Sequence, residues 1–289
     1  MKTVEDTVTT QHLAPMVAFD GGQFVMGSDH HYPEEAPTRV VEVQAFTIDR
    51  YAVTNAQFEA FVKATSYITT AERTGLDGSP PGSMVFRMTT GPVSLLNPSN
   101  WWAFVPGAYW RAPEGPGSTI AERMDHPVVQ LSQSDAVAYA AWAGKRLPTE
   151  VEWELAASLA CEMSEVLTSA NIWRGEFPYQ NLNRKSPPFT VPVASGVGRA
   201  RLPMNMIGNV WEWTTSSFYC EEQDACCGHL KQTGTQDLRV LKGGSFLCAD
   251  SYCRRYRPQA RIGQPEHTTT NHIGFRCAQD PTLVATCLW

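Results

Sequence analysis

RVLKGGSFLCADSYCRRYRPQARIGQPEHTTTNHIGFRC, residues 239–277, carries two cysteines, Cys248 and Cys253, separated by four residues. A Gly-Gly-Ser turn (Gly243, Gly244, Ser245) precedes them, and Arg254, Arg255, Arg257 and Arg261 follow. Paired glycines open backbone conformations closed to other residues and let a second segment approach closely. Arginines beside cysteines favour thiolate, the form that binds metals and attacks electrophiles. Soft thiolates at short range select soft ions such as Cu(I). The local chemistry is that of a two-thiolate site beside a cationic, peptide-sized groove. The same spacing suits a disulfide or two unrelated cysteines, and a run of arginines also suits a solvated face.

The rest of the chain narrows this. At 289 residues it suits one large domain or two small ones, and a hydrophobic fraction of 43% allows a sizeable core. Twenty-one glycines, twenty prolines and nine tryptophans point to a turn-rich fold with aromatic anchors. A net charge of −6 argues against general nucleic-acid binding. No apolar run approaches the roughly 18 residues of a membrane span. The opening MKTVEDTVTTQHLAP is acidic and polar where a signal peptide would be apolar. The expectation is a cytoplasmic protein with a disordered tail over 1–15. Eight cysteines form no evident disulfide framework, and in a reducing compartment most should be free thiols.

MVAFDGGQFVMGSD, from Met16, alternates around Gly21 and Gly22 and reads as a β-hairpin. VVEVQAFTIDRYAV resumes strand character. Thr54 or Asn55 caps a helix whose face carries Phe58, Phe61 and Val62. Residues 74–117 are rich in glycine, proline and tryptophan, too long for an ordinary loop and too aromatic for disorder. VVQL after Pro127 reads as a short strand. Ser132 with Asp135, and Thr149 with Glu152, fit capping boxes opening two helices. Gly144 and Pro148 between them predict a helical corner. Beyond Ala170 come loops and short strands: ANIWRGEF, VPVA, MIGNVWEWT, RVLKGG and IGFRCA. There is no linker and no internal repeat.

GNVWEWT (208–214), RVLKGGSF (239–246), AGKRLPTEVEWE (143–154) and IGFRCA (273–278) together resemble the formylglycine-generating, or sulfatase-modifying-factor, family. The resemblance covers about 16–280, leaving tails at 1–15 and 281–289. It implies an irregular α+β domain of C-type-lectin-like type, with two main helices and short antiparallel sheets. Cys248 and Cys253 fall where the active oxidases of the family carry their cysteines. WWAFVPGAYWRAPEGPGSTI (101–120) and ANIWRGEFP (170–178) also resemble the active branch.

The implied reaction converts a cysteine, within a Cys-x-Pro-x-Arg motif of an unfolded sulfatase, to Cα-formylglycine. It would use dioxygen, Cu(I) and a thiol reductant, in a monomeric enzyme. Cys248 and Cys253 would be the copper ligands, with Ser245 beside them and Trp211 walling the oxygen pocket. An extended peptide docks by backbone hydrogen bonds, with side-chain pockets for specificity. Candidate contacts for it are Trp102, Trp110, Glu114, His272 and Arg276. The resemblance also implies a calcium site at Asn205, Gly208, Val210 and Glu212, a set of hard oxygen donors. Otherwise Trp211-Glu212-Trp213 is core packing and Glu212 pairs with an arginine.

Several positions depart from the family pattern. A second calcium site would start at Asn171 and Ile172, but Lys185 stands where its aspartate is expected, so that site should be absent, with Lys185 in its space. Ala140 and Pro258 replace disulfide cysteines, leaving Cys277 unpaired. His272 stands where an asparagine is common, and SLACEMSEV replaces a glycine-rich turn. Cys220, Cys226 and Cys227 with His229 form a further cluster without clear four-ligand spacing. Two other readings follow: a same-fold oxidase of another peptide or small thiol, and a non-catalytic binding module.

Overall fold

A computed structural model describes residues 13–75, 78–199, 201–219 and 237–281. The cluster of Cys220, Cys226, Cys227 and His229 lies outside the described residues. Three of the α-helices begin at capping boxes. In α1 (Asn55–Thr65) the Gln57 amide donates to Thr54 Oγ1 at 3.2 Å, and the Thr54 amide returns to Gln57 Oε1 at 2.9 Å. Ser132 with Asp135 opens α2 (Gln133–Trp142), and Thr149 with Glu152 opens α3 (Glu150–Ala160). Each such cap contributes about 1 kcal/mol by satisfying otherwise orphaned N–H groups. A fourth helix, α4 (Met163–Ser169), lies in the segment that departs from the family pattern.

The first strands are β1 (Met16–Phe19), β2 (Gly22–Met26), β3 (Arg39–Val43) and β4 (Phe46–Asp49). β1 and β2 are not a hairpin. β1 pairs with β4, and β2 with β3. Gly21 and Gly22, at φ 77° and 110°, redirect the chain between two sheets. A Cβ on Gly21 would stand 2.3 Å from the Val43 carbonyl. β5 (Gly82–Phe86) and β6 (Trp102–Pro106) organise the aromatic stretch.

The central sheet has the order β10-β7-β8-β9, made from β7 (Trp211–Ser217), β8 (Leu238–Lys242), β9 (Arg261–Pro265) and β10 (Ile273–Gly274). β11 (Ala278–Gln279) closes the first sheet against β4. VVQL, ANIWRGEF and VPVA are not strands. Their backbone groups bond to scattered segments: Val128 to Val53, Gln130 to Thr270, Trp173 to Cys248 and Val193 to Asp125. α2 packs on α1 and β7, and α3 packs on β2, β3, β7 and β8. The result is one mixed α+β domain with four α-helices among the described residues.

Two cores hold it. In the larger, Phe58 meets Trp110 and Tyr139, and Tyr139 meets Phe275, with ring centroids 5.2, 5.9 and 5.3 Å apart. The smaller gathers Phe86, Trp101, Trp173, Phe177, Phe189, Phe246 and Leu247. It also takes in Ala249, so it packs on both sides of Cys248 and anchors the loop that carries the sulfurs. Among the described residues no helix is long and apolar enough to cross a membrane.

Candidate active site

The glycine pair sets the geometry. Gly244 has φ 73°, and a Cβ there would lie 2.5 Å from the Arg255 carbonyl and 3.2 Å from Cys248 Sγ. Only glycine lets these two turns of the loop close on each other. The Cys248 amide then donates to the Ser245 carbonyl at 2.9 Å, and the Cys253 amide to Ala249 at 2.9 Å. These turns bring the two sulfurs to 3.4 Å. That is beyond the roughly 2.05 Å of a disulfide and within reach of a thiol–thiolate hydrogen bond. Cys161, Cys248, Cys253 and Cys277 are all free thiols.

The two thiols are electrostatically unlike. Cys248 is 1% exposed, and its burial raises its pKa well above the ordinary value. Cys253 is half-buried, and its pKa is lowered, first by the Cys248 hydrogen bond and then by Arg255. Arg255 places Nη1 3.9 Å from Cys253 Sγ. Its other side is held by Glu34, at 2.5 Å, and by the Tyr32 ring, 3.6 Å from the guanidinium carbon. A buried sulfur and a half-buried one thus share a hydrogen bond, with an anchored arginine beside the second. The Ser245 amide adds a contact to Cys248 Sγ at 3.4 Å, and Ser245 itself is fully buried.

Above the sulfurs opens a cavity of about 590 Å³. It brings together Cys248, Cys253, Ser245, Trp211, Trp102 and His272 from the predicted set. His272 stacks tilted on Trp102, 4.8 Å between centroids, and shares a 2.6 Å hydrogen bond between Nδ1 and Thr270 Oγ1. Burial pushes its pKa down to about 3, so the imidazole is neutral at physiological pH. Tyr252, which sequence reasoning missed, stacks flat on Phe177 at 4.6 Å and edge-on to Trp101 at 5.3 Å, and forms an apolar wall. Tyr32 and Glu34 were missed as well. They come from a loop more than two hundred residues away, and no local pattern marks them.

Three predicted contacts are corrected. Trp110 is fully buried in the larger core, with Arg111 4.1 Å over its ring. The carboxylate of Glu114 is clamped by Arg123 at 2.7 and 2.9 Å. Arg276 is fully buried and grips Glu212 at 2.6 and 2.8 Å. None of the three lines the cavity.

The copper donors fit by their chemistry, two soft sulfurs close together, one of them with a lowered pKa. The calcium set fits only in part. Asn205 Oδ1 is buried without a hydrogen-bond donor, as a cation's ligand would be. The Glu212 carboxylate, however, already accepts from Arg276 on both oxygens and from the Trp153 indole at 2.7 Å. A cation at Glu212 would compete with a buried guanidinium. Lys185 is exposed. Asn171 Nδ2 donates to Phe189 and Asn209, and Asn183 Nδ2 donates to the Ile172 carbonyl at 3.4 Å.

Comparison with known proteins agrees with this geometry. The profile of the sulfatase-modifying factor enzyme 1-like domain matches residues 2–281. A formylglycine-generating enzyme of Mycobacterium tuberculosis is 48% identical, over 93% of this chain and 99% of its own length. One from Thermomonospora curvata is 44% identical, over 92% and 93%. Among solved structures, PvdO of Pseudomonas aeruginosa superposes with a TM-score of 0.61 at 23% identity, over 94% of this chain and 96% of its own, a likeness of fold.

Proposed function

The chain belongs to the sulfatase-modifying factor family, and from that premise we propose that it oxidises a peptidyl cysteine to Cα-formylglycine. The client is an unfolded sulfatase-type polypeptide with a Cys-x-Pro-x-Arg motif, and dioxygen is the oxidant. The observation that carries this reading is the pair of unbonded sulfurs 3.4 Å apart, one buried and one half-buried, lining a cavity wide enough for a peptide side chain and its neighbours.

The redox balance is simple. Dioxygen takes four electrons, two from the client's Cβ–SH group and two from a pair of reductant thiols. The products are the aldehyde, hydrogen sulfide, a disulfide and water. Copper(I), held by Cys248 and Cys253, would supply the redox centre at which dioxygen meets the client thiolate. The protein's own contributions are distinct. Arg255 favours the ionised form of Cys253, and Cys248 yields its proton on metal binding. The Ser245 amide fixes Cys248 Sγ. Trp211, 3% exposed, excludes water from the cavity's inner side. His272, neutral, offers Nε2 as a polar contact for the peptide, and Tyr252 offers an apolar face.

The test is mass spectrometry of a Cys-x-Pro-x-Arg peptide incubated with the protein, copper, a thiol reductant and air. The expected result is copper-dependent loss of the thiol with gain of the aldehyde. Copper bound at both cysteines without conversion of any such peptide would overturn the substrate assignment.

A further inference from the structure

On the far side of the wall formed by residues 252–257 lies a second groove, of about 490 Å³. The wall shares its side chains between the two spaces. Cys253 and Arg255 face the sulfur cavity, whereas Arg254 and Tyr256 face the second groove. Tyr32 joins the two: its ring lies 3.6 Å from the Arg255 guanidinium, its hydroxyl accepts from the Arg254 amide at 3.3 Å, and its side chain lines the second groove. The opposite bank is α4, which presents Met163 and Leu167, 41% and 50% exposed. Met163 and Leu167, one turn apart on α4, give this bank of the groove an apolar face.

The charge is equally specific. Arg257, also at the groove, is committed to the buried Glu35. The Arg254 side chain is 70% exposed, and its carboxylate partner, Asp250 at 3.5 Å, is 80% exposed. Such a surface pair contributes little and yields readily to a better-placed carboxylate.

We propose that this groove is a docking site for the part of the client polypeptide that flanks the target cysteine, taking an apolar side chain against Met163 and Leu167 and a carboxylate on Arg254. The inference rests on the peptide-oxidising reading above. An extended chain with its cysteine at Cys253 crosses only the Tyr32–Arg255 stack to reach the groove. Continuity with the site, and a cation facing an unfilled apolar trough, select an acidic–apolar segment of the client.

The experiment compares three peptides: a short target-motif peptide, the same peptide extended at either end by a leucine-and-aspartate segment, and the extension with lysine for aspartate. Turnover and fluorescence anisotropy are both read. The acidic extension at one end should lower KM about five- to tenfold, the scale of about 1–1.4 kcal/mol of added contact, and the lysine version should not. In the Met163→Ser, Leu167→Asp double variant that gain should vanish while kcat/KM for the short peptide stays unchanged. Equal KM for all three peptides, or a gain that survives in the variant, overturns the proposal. Failure of the short peptide to react refutes the oxidase reading instead; anisotropy of the extended peptide then decides the groove, supporting it if binding is lost in the variant and overturning it otherwise. A change of sedimentation in the variant would assign the surface to a second copy of the chain and also overturn the proposal.

Discussion

The Arg255 guanidinium stands between two acceptors, 2.5 Å from the Glu34 carboxylate and 3.9 Å from the Cys253 sulfur. Glu34 sits in a loop between β2 and β3, so the electrostatics of the sulfur pair depend on a segment far away in sequence. The placement is stable because Arg255 is also stacked on Tyr32, and a guanidinium gains from both contacts at once.

The Cys248 hydrogen bond first, and Arg255 after it, favour the charged form of Cys253. In the metal-free protein Cys253 should alkylate with iodoacetamide at a pH below the ordinary thiol range, while Cys248 stays unmodified until well above it. Arg255 and the Cys248 hydrogen bond both stabilise the thiolate, so removing either moves the midpoint up. Arg255→Met should shift the Cys253 midpoint upward by about one pH unit, equivalent to about 1.4 kcal/mol of lost thiolate stabilisation. Residue-resolved mass spectrometry across a pH series reads it directly. A midpoint unchanged in Arg255→Met would assign the shift to Cys248 alone.

Cys248→Ser and Cys253→Ser should each abolish turnover and leave the fold intact, because a single thiolate does not hold a soft monovalent ion tightly. The two should differ in stability. Cys248 is fully enclosed, so its new hydroxyl must find a partner at some cost, whereas Cys253 is half-open. Competition with a Cu(I) chelator, together with thermal melts, checks both statements. Full activity in both variants would remove copper from the mechanism.

Much of this was legible locally. Caps at Thr54, Ser132 and Thr149 mark helix starts because side chain and backbone lie three residues apart. The Gly243–Gly244 pair and the cysteine spacing likewise belong to one loop. What was not legible depends on long-range partners. The Gly21–Gly22 turn looks like a hairpin, but β4 and β3 outcompete β1 and β2 as each other's neighbours. Trp110 and Glu114 sit in a tryptophan-rich stretch that suggested a groove, yet Phe58 and Arg123 satisfy them elsewhere. Tyr32 and Glu34 carry no signal until the chain folds.

Arg276 is a case where stability and binding make opposite predictions. It is fully buried and donates to Glu212, to the Met204 carbonyl at 3.0 Å and to the Asp49 carbonyl at 3.1 Å. Arg276→Met leaves Glu212 buried with only the Trp153 indole. Breaking one side of a buried pair costs about 3–5 kcal/mol, so the variant should unfold at markedly lower urea concentration while the KM of its folded fraction is unchanged. A variant with unaltered stability and raised KM would return Arg276 to substrate contact.

His272 yields a pH prediction with a definite sign. Its folded pKa is about 3 against an ordinary value of 6.5, because burial penalises the imidazolium. Between these values the unfolded chain binds a proton that the folded protein does not. The protein therefore loses stability as pH falls from about 6.5 toward 3, by about 1–2 kcal/mol near pH 5. His272→Asn removes that proton uptake and should narrow the difference in urea midpoint between about pH 8 and pH 5. Since the imidazole is neutral across that whole range, the variant's kcat/KM profile should keep the wild-type shape even if its height changes. An inflection near pH 6.5 in the wild type, absent from His272→Asn, would mean that the imidazole titrates in the open cavity and is not held neutral between Thr270 and Trp102.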